Sequence, residues 1–110
     1  MLPRRNRLVE PADFRSVVRR GDKCVTAHLI GYRLPAGEAR VGIIVTVKTG
    51  NAIVRNTVRR RTRAIARELI SAGRLDGDIV FRLRGEGAVP GFTELESELG
   101  ECATQWSRNV

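Results

Sequence analysis

The stretch GNAIVRNTVRRRTRAIARE, residues 50–68, holds six arginines, two asparagines and one acid, Glu68, at its end. Gly50 interrupts the strand-like residues before it. Asn51 is a residue type whose side chain accepts a hydrogen bond from a helix's first turn. The spacing predicts a helix from there to about Ser71, closed by Ser71-Ala72-Gly73 and Asp76-Gly77-Asp78. At about 100° per residue from Arg55, the side chains of Arg59, Arg63, Asn56, Arg67 and Arg60 share an arc of about 140°. Val54, Ile65, Val58 and Leu69 gather between about 260° and 320°. The helix thus has an apolar stripe for docking on a sheet and a coherent arginine face opposite. Arg61, near about 240°, sits at the edge of the apolar stripe.

An ordinary solvated helix face mixes signs, because oppositely charged i,i+4 pairs stabilise it. No acid occurs between Glu38 and Glu68. Like charges on one face cost roughly a few tenths of a kcal/mol per pair. A face of one sign is a stability liability that a polyphosphate partner would offset. Lys48-Thr49-Gly50-Asn51 lead into the first turn, whose free backbone N–H groups favour anions, and Lys48 adds charge there.

Working outward, the chain of 110 residues is expected to form a single domain, 1–110. Its charge is uneven. Residues 1–72 carry 16 Lys and Arg against 5 Asp and Glu, while residues 73–110 carry 4 against 7. The first two thirds therefore point to a polyanion. Of the 20 cations 18 are arginine, the side chain suited to bidentate phosphate contacts and to stacking on bases. No apolar run approaches the roughly 20 residues of a membrane span, and the basic start has no apolar stretch after it. A cytoplasmic protein without a membrane partner is expected. Cys24 and Cys102 form no CxxC pair, and with His28 alone they cannot assemble a zinc site; they read as two small buried hydrophobes or ordinary thiols.

Residues 1–10 read as a basic N-terminal arm. Pro11 opens a short helix, PADFRSVVRR, closed by Gly21, in which Phe14 and Val18 share a face. CVTAHLIGYRL, residues 24–34, alternates as a strand that could be split in two, with Thr26, His28, Ile30 and Tyr32 on one side. PAGE, residues 35–38, is a turn, and ARVGIIVTV, residues 39–47, is most simply its antiparallel hairpin partner. DIVFRLR, residues 78–84, is another strand, and residues 85–92 a flexible loop. Thr93 with Glu96 has the pattern of a capping box for a last helix. Leu95, Leu99, Cys102 and Trp106 form its apolar stripe, and Glu94, Glu96, Glu98 and Glu101 a solvated face. The fold class is α+β, in the order α-β-β-(β)-α-β-α.

Lys48, Gly50-Asn51-Ala52, Arg55-Asn56, Arg59-Arg60 and Arg63 match the spacing of the basic helix motif of the bacterial ribonuclease P protein subunit. Arg5-Asn6-Arg7-Leu8, then Asp13-Phe14, Val17 and Gly21, are similar to that family's N-terminal helix region. Arg40-Val41-Gly42 resembles the strand before the motif. Together these cover residues 5–68. Thr57 stands where an arginine is usual, but near about 200° it lies off the arginine face. Val47 replaces one of two common lysines.

The resemblance implies a two-layer sandwich like the second domain of ribosomal protein S5, with a left-handed β-α-β crossover. It implies a ribonucleoprotein endonuclease that removes the 5′ leader of precursor tRNA, with catalysis carried by the RNA subunit and Mg²⁺ held mainly by that RNA. The implied partners are ribonuclease P RNA and precursor tRNA, with no obligate protein partner. The implied surface for the catalytic RNA is Lys48, Asn51, Arg55, Asn56, Arg59, Arg60, Arg63 and Arg67. The implied leader cleft lies between the first helix and the sheet, with Phe14, Val18, Ile30 and Tyr32. The residues themselves offer no paired acids in a basic cleft to hold a catalytic metal. A structural RNA-binding protein of ribosomal type fits the arginine face equally well. A sequence-reading DNA-binding helix fits poorly, because Asn56 is the one clear base-reading side chain on it.

Overall fold

The computed structural model describes residues 2–85 and 88–108. After a 3₁₀ turn, Arg4–Asn6, come α1 (Pro11–Arg20), β1 (Asp22–Val25), β2 (Leu29–Leu34), β3 (Arg40–Ile44), α2 (Ala52–Ser71), β4 (Asp78–Leu83) and α3 (Phe92–Arg108). The four strands form one sheet in the order β1-β2-β4-β3. The long first strand is indeed split. Thr26 closes the break, its N–H donating to the Leu29 carbonyl at 2.9 Å and its hydroxyl oxygen standing 3.0 Å from the same atom. β1 and β2 are thereby the antiparallel hairpin.

The expected hairpin between residues 24–34 and 39–47 does not form. β4 lies between β2 and β3, antiparallel to the first and parallel to the second. The reason is composition. Ile79, Val80, Phe81 and Leu83 of β4 are all buried, so both faces of this strand need cover. Such a strand belongs in the middle of the sheet. β3 reaches it in parallel through α2, a β-α-β crossover, and ends at Ile44 instead of Val47. Arg40 holds the start of that parallel pair by a two-point contact with Asp78, at 2.9 and 2.8 Å.

Strand alternation divides the core in two. Leu29, Val41, Ile79, Phe81 and Leu83 face α2 and α3, joining Val58, Ile65, Leu69, Leu95, Leu99, Cys102 and Trp106. Tyr32 and Val80 face α1, joining Val17 and Leu8, with Phe14, Val18, Ile30, Leu34 and Ile44 around them. Gly42 is required beneath α1, because a Cβ there would overlap the Phe14 ring. The apolar stripe of α2 is as expected, with Thr62 and Ala66 buried along it.

The basic lead-in is built into the fold. Leu2, Asn6 and Leu8 are buried, the Asn6 amide donates to the Ala39 carbonyl at 2.7 Å, and Leu8 N–H donates to the Val41 carbonyl. It thus continues the sheet past β3. At the other end, α3 starts at Phe92, so the Thr93/Glu96 capping box is not formed. Gly91 takes the cap position, and Glu94, three residues on, accepts from its N–H at 3.1 Å. Within the loop expected at 85–92, Glu86 and Gly87 lie outside the described residues.

Candidate nucleic-acid interface

The arginine face begins at a well-made helix start. Asn51 Oδ1 accepts from Val54 N–H at 3.0 Å, so its side chain is a cap as the sequence predicts. Arg7, Asn56, Arg59, Arg60, Arg63 and Ala64 line an open depression of about 460 Å³. Inside it Arg59 donates to Asn56 Oδ1 at 3.3 Å. Burial lowers the Arg63 pKa from its ordinary value, and the charges of Arg7 and Arg59 lower it further. These cations are close enough to oppose one another's charge, and none of them has an acid partner among the described residues. The Arg55 Nε is buried without a hydrogen-bond partner. Lys48 and Arg67 are exposed before and beyond this cluster. Thr57 is turned back on its own helix, donating to the Ile53 carbonyl at 3.0 Å, and Arg61 is half-buried and does not line the depression.

Arg7 belongs to this surface and was not assigned to it from sequence. The signal was present in Arg5-Asn6-Arg7-Leu8, but only the pairing of Arg7 with Val41 brings it to α2. Its Nε donates to the Leu2 carbonyl at 3.0 Å, which fixes its direction.

The second surface lies where α1 crosses the sheet. Phe14, Val18 and Ile30 are half-buried there, with one flank open. Tyr32, placed in the same group by sequence, is only 6% exposed and packs with Leu8, Val17 and Val80. It is chiefly a core residue beneath α1. His28 does not share that face. It sits in the turn before β2, on the α3 side, its Nδ1 2.6 Å from Glu98 Oε2 and its N–H donating to Glu98 Oε1 at 2.7 Å. Glu98 is therefore not part of a solvated face, unlike the exposed Glu94, Glu96 and Glu101. Cys24 and Cys102 are buried free thiols, and burial raises both above the ordinary thiol value. Among the described residues no group of three or more His, Cys, Asp or Glu could hold a metal ion, and no helix is long and apolar enough to cross a membrane.

The fold and the site define a class: a small α+β protein whose crossover helix carries a face of arginines with no acid among them. The ribonuclease P family profile matches residues 2–107. The ribonuclease P protein component of Clavibacter michiganensis subsp. michiganensis is 33% identical over 113 aligned residues, covering 100% of both chains. That of a Nocardioides species is 36% identical, covering 93% of this chain and 92% of its own. The RNase P protein from Thermotoga maritima superposes with a TM-score of 0.74 at 25% identity, over 90% of this chain and 96% of its own. A mutant RNase P protein of Staphylococcus aureus superposes at 0.79 with 23% identity, over 94% and 89%, a likeness of fold. The chain belongs to the bacterial ribonuclease P protein family, and its role lies in ribonuclease P and tRNA processing.

Proposed function

We propose that this protein binds the catalytic RNA of ribonuclease P through the arginine face of α2 and the single-stranded 5′ leader of precursor tRNA through the cleft under α1. The observation that carries this reading is the depression formed by Arg7, Asn56, Arg59, Arg60 and Arg63, in a chain of this family. Five donor-rich side chains converge on a volume that a sugar-phosphate backbone could enter. Charge neutralisation there would favour RNA compaction and release counterions. Lys48, Arg55 and Arg67 extend the track along the helix, and the free part of the Asn51 amide lies at its start.

The chemistry of leader removal is assigned to the RNA subunit. Mg²⁺ is likewise assigned mainly to the RNA. What the chain's own residues do is bind and position. Phe14, Val18 and Ile30 offer apolar faces to unpaired bases, a contact tolerant of sequence, while Tyr32 supports them from below. The working compartment follows from the partners and is the cytoplasm.

Reconstitution tests this function. Added to a ribonuclease P RNA at low Mg²⁺, the protein should accelerate cleavage of precursor tRNA and tighten its binding relative to mature tRNA. A structural RNA-binding protein of ribosomal type would bind without accelerating cleavage, and that result would overturn the reading.

A further inference from the structure

On the sheet face under α1, strand register sets side chains in rows. Ile30 of β2 lies opposite Arg82 of β4, and Arg82 lies opposite Ile44 of β3. The next row is Tyr32, Val80 and Gly42. That second row is buried beneath α1, whereas in the first Ile30 and Ile44 are half-buried and Arg82 is exposed. The open flank of the cleft therefore has a floor of one guanidinium between two isoleucines, about 10 Å across at ordinary strand spacing.

An arginine on the central strand is out of keeping with its neighbours. Phe81 and Leu83 on either side are buried in the opposite face, so Arg82 is held on this one by alternation. No carboxylate pairs with it among the described residues; the acids that pair with arginine here serve Arg5, Arg33 and Arg40. A cation with apolar flanks matches the repeat of a single strand of RNA, in which a charged phosphate is flanked by sugar and base faces.

We propose that Arg82 sets the register of the leader by taking one backbone phosphate, with Ile30 and Ile44 against the adjoining sugars or bases. This rests on the leader-binding reading of the cleft. It adds a cation to a site whose other members are apolar, and it makes one linkage of the leader more important than its neighbours.

The test uses reconstituted holoenzyme, precursor tRNAs with leaders of graded length, and mature tRNA. Arg82→Ala should weaken binding of long-leader precursor about tenfold and leave mature tRNA unchanged. It should lower the salt slope for precursor by about 0.7. Arg82→Lys should retain most of the affinity, and Arg19→Ala, an exposed cation on α1, should match the wild type. With unaltered protein, a neutral methylphosphonate scanned through the leader should weaken binding at one linkage, and at that linkage should cost nothing further in Arg82→Ala.

Three outcomes overturn the proposal. If Arg82→Ala equals wild type while Phe14→Ala loses leader-dependent affinity, Arg82 fails and the cleft stands. If neither variant loses leader-dependent affinity, the cleft reading falls and this inference with it. If Arg82→Ala weakens mature tRNA equally, or Arg19→Ala costs as much, the effect is one of general charge.

Discussion

His28 Nδ1 lies 2.6 Å from Glu98 Oε2, tying the turn between β1 and β2 to the middle of α3. The same carboxylate accepts the Thr26 hydroxyl at 2.5 Å and the His28 N–H at 2.7 Å. Burial pushes the Glu98 carboxyl up, but these donors outweigh it and the net shift is downward. Between the depressed native value and the ordinary one near 4.5, the unfolded chain binds the extra proton. The stabilisation is therefore fully present above that ordinary value and is lost as pH falls through the native one. Urea melts from about pH 6 down to about pH 3 should show this acid limb, and Glu98→Gln should flatten it. At neutral pH Glu98→Ala should cost about 1–3 kcal/mol, because buried donors lose their acceptor. An acid limb unchanged in Glu98→Gln would refute the assignment.

That same pair marks what the sequence could and could not convey. Helix periodicity placed Glu98 beside Glu94 and Glu101, and charge alone sent it to solvent. Its partners are some 70 residues away, brought near by the β1–β2 break, so no local pattern signals them. The hairpin between residues 24–34 and 39–47 misled for a related reason. Short separation favours a hairpin, but the doubly buried β4 needed a neighbour on each side. By contrast α2 was legible from end to end, because its cap, its stripe and its arginine arc are all local. Asn56, Arg59, Arg60 and Arg63, which line the depression, stand on the arc that periodicity draws, whereas Arg7 arrives by a bridge to Val41.

Arg59 and Arg63 line one depression, where the charge of the first opposes that of the second, a repulsion that an entering phosphate would relieve. Changing both to alanine should weaken binding to ribonuclease P RNA and flatten its dependence on salt, by about 0.7–0.9 in slope per lost contact. Arg7→Ala should act in the same direction with a smaller loss. Filter binding over a salt series measures both quantities. An unchanged affinity and slope would remove this face from the RNA.

The same crowding predicts an effect of small anions on the free protein. Sulfate or phosphate that binds the native arginine cluster stabilises it by mass action, by about 2.7 kcal/mol at a hundredfold excess over the dissociation constant. The melting temperature should rise with sulfate and level off. The rise should shrink in the Arg59→Ala, Arg63→Ala double variant. A rise of equal size in that variant would instead indicate general exclusion of the salt from protein surface.

Phe14 and Gly42 test whether the cleft owes its shape to one close approach. A Cβ at Gly42 would overlap the Phe14 ring, so in Gly42→Ala the ring, or α1 with it, must shift outward. Overpacking of this kind costs about 1–3 kcal/mol. Removing the ring first removes the overlap, and the added methyl then fills part of the space the ring leaves. Gly42→Ala should therefore cost less in a Phe14→Ala background than in the wild type, a coupling that a double-mutant cycle of urea melts reads directly. Both single variants should also weaken leader-bearing precursor more than mature tRNA, one by moving the wall of the cleft and the other by deleting it. If Gly42→Ala costs the same in either background, the ring is not what the glycine accommodates. The glycine would then be accommodating Leu8, whose Cβ stands 3.2 Å from the same point.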